Sequence, residues 1–376
     1  MTTSMLKTFR EPALVRELGE RLRGLQLADR HTFMEVCGTH TMAIHRAGIP
    51  SLLPPGMRLL SGPGCPVCVT PAQYLDTAFA LARTHGVVLA TFGDMVRVPG
   101  SSESLATLRS EGYDIRVVYS PSGALACARE HPECEVVFLA VGFETTAPAV
   151  AATVRRAREQ RVRNFSILSA HKLVIPALAA LADDIHLAVD GFILPGHVSG
   201  IIGSEPYRFL AETHRRACVI AGFEPTDILQ TLLMLEEQLE SGEPHIAIQY
   251  SRAVRPAGNA RARACMNEVF APAETVWRGF GSITSSGLVV REEYREYDAS
   301  VRFPVNVPSF PAPEGCRCGD ILRGHINPPS CPLFSRECSP LTPVGPCMVS
   351  SEGACAAFHR YSRNLRAVCR ETQSHA

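Results

Sequence analysis

The stretch Val136-Val137-Phe138-Leu139-Ala140-Val141, followed by Gly142-Phe143-Glu144-Thr145-Thr146-Ala147-Pro148, decides the fold class. Six successive apolar residues with no polar alternation read as a strand buried on both faces. The Thr146 to Pro148 step that follows carries helix-starting chemistry. The same grammar repeats along the chain. Apolar runs recur at Phe33 to Val36, Met57 to Leu60, Val87 to Phe92, Ile115 to Tyr119, Phe165 to Leu168, Phe192 to Leu194 and Val219 to Ala221. Between two of them, Leu75, Ala78, Phe79 and Ala82 repeat at the spacing of one helical face. Thr70-Pro71 is expected to open that helix, and Thr39 or Thr41 to cap a shorter one ending near Gly48. Strands alternating with helices predict an α/β fold, its strands divided between two parallel sheets.

With 376 residues, the chain has room for two or three domains at roughly 150 residues each. The reading places a first α/β domain at 1–145, a second at 146–270 and a small Cys-rich iron–sulfur domain at 271–376. Lys plus Arg equals Asp plus Glu, at 37 each, so no broad basic face offers itself to nucleic acid. No apolar run is long enough to span a bilayer, since Asp183, Asp184, His186 and Asp190 interrupt the richest one. Met1 to Arg10 lacks an apolar signal core and carries Lys7 and Arg10, so a cytoplasmic protein is expected.

Fourteen cysteines are too many for a bland reading of such a chain. In a reducing compartment, clustered thiols point to metal ligation or redox chemistry. Cys127, Cys134, Cys218 and Cys265 are scattered, but Cys316, Cys318, Cys331, Cys338, Cys347 and Cys355 crowd together, with Cys369 beyond. The segment around them is rich in Pro, including Pro304, Pro308, Pro311 and Pro313, and loses helical periodicity after about Ala271. A bound metal centre is the expected source of its order. Cys316, Cys331, Cys338 and Cys355 can supply four thiolates, with Cys318 and Cys347 left over. Their wide gaps suit an iron–sulfur cluster better than the short paired knuckles of a zinc ribbon.

Three further signals lie at strand ends, where open α/β sheets place their ligand crevice. Cys65-Pro66-Val67-Cys68 precedes a helix start, whose positive end favours a thiolate, and its spacing allows a reversible disulfide. No second C-x-x-C completes a zinc site, so a redox dithiol is the better reading. Cys37-Gly38-Thr39-His40 offers soft sulfur and nitrogen to one metal, although alone it would read as a packed Cys and a satisfied His. Glu144, His171 and His197 each follow a strand. Singly they read as satisfied polar groups, but their shared topological position would gather them around one cleft. No phosphate-loop string is present.

Taken together, Cys37-Gly38-Thr39-His40-Thr41, the segment Gly62 to Thr70, Gly142 to Thr146, Pro195-Gly196-His197-Val198-Ser199 and Gly345 to Ser350 resemble the HypD family of nickel–iron hydrogenase maturation proteins. The resemblance runs over nearly the whole chain and implies two α/β domains followed by a domain holding a 4Fe-4S cluster. It implies a scaffold that, with the HypC chaperone, holds iron while cyanide and carbonyl ligands are assembled, HypF and HypE supplying cyanide. The family's iron-holding cysteine falls on Cys37 and its dithiol on Cys65 and Cys68; soft thiolate ligation at Cys37 suits iron, and His40 or a partner's group could complete the shell. Its cluster pattern, C-x14-C-x6-C-x16-C, falls on Cys316, Cys331, Cys338 and Cys355, with Cys318 and Cys347 near enough to substitute. Met42 stands where related members frequently carry His. Two other classes remain open at this point: a freestanding iron–sulfur thiol/disulfide oxidoreductase, which needs no Cys37 motif, and a zinc-stabilised interaction module.

Overall fold

The computed structural model describes residues 9–307 and 313–361; Lys7, Pro308, Pro311 and Cys369 lie outside them. Each of the eight apolar runs forms a strand: β1 His31–Glu35, β2 Met57–Ser61, β3 Val87–Thr91, β4 Ile115–Val117, β5 Glu135–Gly142, β6 Phe165–His171, β7 Gly191–Pro195 and β8 Ala217–Ala221. Three more follow, β9 Ile246–Ile248, β10 Phe270–Trp277 and β11 Gly281–Val290. One sheet has the order β2-β1-β7-β8-β9 and the other β4-β3-β5-β6, and every pairing in both is parallel. The central strands β3, β5, β7 and β8 are buried almost throughout, as their unalternating apolar runs require.

The chain leaves the first sheet after β2, builds the whole second sheet, and returns at β7. A boundary near residue 145 therefore does not separate the sheets. Strands β5 and β6 lie on either side of it and pair from Val136↔Phe165 to Gly142↔His171. The helix Ala147–Glu159 between them is the crossover that adjacent parallel strands require.

The segment after Ala271 begins with order that its sequence hides. Strands β10 and β11 form an antiparallel hairpin that lies against β6 and the helix Val174–Ala182. The Leu173 amide donates to Ser286 O at 2.8 Å, and Ser169 Oγ donates to Leu288 O at 2.8 Å. Beyond the hairpin, turns, a short helix Cys318–Leu322 and a helical segment at 354–361 carry the cysteines. Cys318, Cys331, Cys338, Cys347 and Cys355 belong to the same buried cluster as Leu89, Val137 and Leu194, so this segment shares its core with the α/β body.

Two expected caps are displaced. Cys37, not Thr39 or Thr41, is the N-cap of the helix Gly38–Arg46, because the two threonine hydroxyls donate elsewhere, to Glu352 and Glu35. Thr70 gives its hydroxyl to Pro66 O and closes the preceding turn, leaving Pro71 to start the helix Ala72–Ala82.

One buried network joins this scaffold to the residues beneath the site. Asp227, in the first turn of the helix Pro225–Ser241, receives Arg252 Nη1 at 2.8 Å and Gln249 Nε2 at 2.9 Å, and caps the Glu224 amide at 3.0 Å. The Arg252 guanidinium lies between Phe9 and Tyr250, 4.1 and 4.4 Å from their ring centroids. Gln249 Oε1 in turn receives the Gly222 amide at 3.0 Å, fixing the loop after β8. Removing one partner of a buried ion pair strands the other charge, at a cost of about 3–5 kcal/mol. Asp227→Ala is expected to lose about that much unfolding free energy in urea titration, and a loss within experimental error would mean the network is not holding the fold.

Candidate functional site

Strands β1 and β2 are neighbours, so their carboxyl ends bring Cys37 and the Cys65 loop side by side. The approach is closer than side chains allow. The Gly38 amide donates to Gly64 O at 2.9 Å, and a Cβ on Gly64 would stand 2.2 Å from the Cys37 nitrogen. Glycine is required there because the two backbones touch. Cys65 and Cys68 are disulfide-bonded across the single turn Pro66–Val69, with Cα atoms 5.2 Å apart. That turn packs on β5 of the second sheet and on the turn Pro346–Met348, which carries Cys347. The dithiol thus sits where the two sheets and the cysteine-rich segment meet.

Cys37 is 8% exposed. Burial, then the nearby Glu352 charge, pushes its thiol up to about 12, while the amides of His40 and Thr39 act in the opposite direction. The sulfur makes no capping hydrogen bond. Glu35, at the end of β1, receives the Cys37 amide at 3.2 Å and the Thr41 hydroxyl at 2.5 Å. Its burial raises the carboxyl to about 8. Glu352 reaches over from the cysteine-rich segment to accept from Thr39 Oγ1 at 2.6 Å. Next to it, Gly38 is as constrained as Gly64, since a Cβ there would lie 2.5 Å from Glu352 Cβ.

His40 is fully buried, with Nε2 3.0 Å from Gly222 O and 3.3 Å from Ala221 O. Two carbonyls can only accept, so Nε2 carries the proton and Nδ1 is left with its lone pair. That Nδ1 is buried and has no protein partner. Burial lowers the imidazole to about 4, so at neutral pH it is an uncharged nitrogen donor. Its ring stacks on Phe223 at 4.6 Å, and Phe223 stacks on the exposed His197 at 3.9 Å. His40 and His197 therefore share one aromatic sandwich.

The second sheet contributes Glu144, whose Oε1 receives the Val174 amide at 2.9 Å while Oε2 is buried without a partner. Burial lifts this carboxyl to about 7. Tyr207 is buried and bonded to Ser199 Oγ at 3.1 Å, and burial above all raises its phenol. His171 lies elsewhere. Its Nδ1 is 3.2 Å from Ser169 Oγ, its ring meets Phe270 edge-on at 5.2 Å, and it lines a separate depression with Tyr74, Lys172 and Thr275.

All six clustered cysteines line one apolar cavity with Ile321, Leu333, Phe334 and Met348. Burial, followed by Cys318, Cys338, Cys316 and Cys331, holds the Cys355 thiol well above its ordinary range. Deprotonated, thiols gathered in so apolar a setting could serve as soft donors to a metal group. Cys318 Sγ and Cys347 Sγ are 2.6 Å apart. Among the described residues no three His, Cys, Asp or Glu groups form a ready-made site for a single metal ion. No described helix is long and apolar enough to cross a membrane. Sequence reading missed Glu35, Tyr207, Phe223 and Glu352. Only Glu35, an acid ending an apolar run, gave a local signal.

A profile of the HypD family, described as the hydrogenase formation hypA family, matches residues 13–362. The chain is 45% identical over 368 residues to hydrogenase maturation factor HypD of Azotobacter vinelandii, covering 96% of this chain and 97% of that one. It is 42% identical over 367 residues to HypD of Cupriavidus necator, covering 95% and 97%. Against HypD of Escherichia coli it is 42% identical over 363 residues, covering 94% and 96%.

The close approach of the two loops makes Gly64→Ala a direct probe. The added methyl is expected to push the Cys65 loop off Cys37 and raise native-state alkylation of Cys37 several-fold by mass spectrometry; an unchanged rate would contradict the packing. Glu144 offers a pH test. Its carboxyl is raised from 4.5 to about 7 on folding, so the folded state keeps the proton over that window. The associated stability is present below the unfolded value and is lost as pH rises through about 7, a difference of order 3 kcal/mol. Glu144→Gln is expected to gain on the parent protein as pH rises from about 5 to about 8, and a pH-independent difference would refute the assignment.

Proposed function

The chain belongs to the HypD family of hydrogenase formation proteins, and on that premise we propose that it is a redox-active scaffold for nickel–iron hydrogenase maturation. With a HypC-type chaperone it holds an iron atom, as cargo, while cyanide and carbonyl ligands are attached. Cyanide comes from a HypE-type donor, and the finished group passes to the hydrogenase large subunit. The observation that carries this reading is the meeting of three sulfur sets: Cys37 against the Gly64 backbone, the Cys65–Cys68 turn beside it, and the six-cysteine cavity behind that turn.

Each residue has a role that follows from its surroundings. The Cys37 thiol must lose its proton to bind iron, and the metal's charge supplies the drive that the buried site withholds from the free thiol. His40 presents an unprotonated Nδ1 three residues along, with its other nitrogen locked by two carbonyls, as metal-bound imidazoles require. Reductive release of cyanide from a thiocyanate-like donor breaks an S–C bond and consumes two electrons and one proton, giving a thiol and cyanide. Oxidation of the Cys65–Cys68 dithiol to its disulfide yields two electrons and two protons, which balances that step with one proton left over.

Restoring the dithiol needs two electrons from outside, for which a one-electron donor of the ferredoxin class is the natural source. On the family's cysteine pattern, Cys316, Cys331, Cys338 and Cys355 would hold a 4Fe-4S cluster, with Cys318 and Cys347 near enough to substitute. Such a cluster supplies one-electron transfer when bound. A freestanding oxidoreductase could use cluster and dithiol alike, but it gives no use to the buried Cys37 thiol or to the unpartnered His40 Nδ1.

The test is anaerobic purification with a HypC-type partner, followed by infrared spectroscopy of the cyanide and carbonyl stretching region. Bands are expected from the parent complex and not from Cys37→Ala. Cyanide bands of undiminished intensity in the Cys65→Ser/Cys68→Ser double variant would remove the dithiol from the reaction.

A further inference from the structure

The tip of the β10–β11 hairpin lies between the two redox elements, and its first residue is Arg278. The Arg278 amide donates to Val69 O at 2.8 Å and its Nε donates to Thr70 O at 3.1 Å. These are the two residues that leave the Cys65–Cys68 turn. The next residue, Gly279, has φ +86° and meets Gly319 backbone to backbone: a Cβ on Gly279 would stand 2.5 Å from Gly319 Cα. Gly319 follows Cys318 directly. The hairpin tip is therefore a strut, fixed at one end to the dithiol turn and at the other to the cysteine cavity.

The guanidinium on this strut is not fully used by the protein. Its Nη2 is buried and has no acceptor. An unpaired buried N–H of a permanent cation is costly, and its retention calls for a partner. No carboxylate pairs with Arg278 among the described ion pairs.

We propose that Arg278 is a positioning residue that offers its free Nη2–H and its charge to the sulfur of the thiolate-bound iron–sulfur group, raising that group's reduction potential while holding the Cys65–Cys68 turn against it. This rests on the cluster reading above. Adding an electron to a thiolate-ligated cluster increases its negative charge, so a fixed cation and a charged hydrogen bond stabilise the reduced form. Arg278 takes no electron itself. Because the same side chain binds Thr70 O, any change at Arg278 acts on both redox elements at once.

The test uses the full chain with its cluster reconstituted anaerobically, poised in redox buffer at the parent's midpoint and read by visible absorption and electron paramagnetic resonance. A charged hydrogen bond is worth about 1.5–3 kcal/mol, so the reduced-to-oxidised ratio of Arg278→Gln is expected to fall by about tenfold or more. Arg278→Lys, which keeps the charge but not the fork, is expected to bind the same iron and fall less. An Arg278→Gln protein with full iron and an unchanged ratio would overturn the proposal. So would equal loss of iron from both variants, which would make the residue a packing element. Failure of the unsubstituted protein to form any cluster would overturn instead the cluster assignment beneath it.

Discussion

Two backbones in contact, those of Cys37 and Gly64, set the distance on which the rest of the site depends. The 2.2 Å that a Gly64 Cβ would leave to the Cys37 nitrogen means that no side chain intervenes between the strand end carrying Cys37 and the one carrying Cys65. The hydrogen bond from Gly38 to Gly64 O locks that approach, and Gly38 itself is pressed against Glu352 of the cysteine-rich segment. Parallel pairing of β1 with β2 brings the two loops together, and the two glycines let them close. The insertion of the whole second sheet between β2 and β7 then places β5 against the dithiol turn from the other side.

A pocket assembled this way buries polar groups that it does not satisfy. His40 Nδ1, Glu144 Oε2 and Arg278 Nη2 are all enclosed without protein partners. Each is costly in isolation, and a fold optimised only for stability would replace them. The charges are also graded. Burial keeps Glu35, Glu144 and the Cys37 thiol protonated more readily than in water and keeps His40 neutral.

The sequence made the α/β body legible because its strands are buried on both faces. Runs such as Val136 to Val141 have only one good reading, and all eight became strands. Chain order was a poor guide to sheet membership, since a crossover helix looks the same whether the next strand joins the old sheet or starts a new one. The β10–β11 hairpin was hidden because it is half exposed and rich in Ser, Thr and Gly, and its burial alternates along β10. Cys37, Cys65 and Cys68 announced themselves by residue type and by strand-end placement. His171 shared that placement but went to another depression, because its imidazole is held by Ser169 and Phe270. Arg278 carried no local signal, as its importance comes from contacts with residues more than two hundred positions earlier.

The central claim is that electrons reach the Cys65–Cys68 bond from the cysteine cavity. It is tested most directly by titrating anaerobic protein with a one-electron donor and counting alkylated Cys65 and Cys68 by mass spectrometry, with and without reconstituted iron. The account requires the two thiols to appear together, after two electrons per chain, in the iron-loaded protein and far more slowly in the iron-free protein. Equal rates of thiol appearance in the two preparations would contradict it.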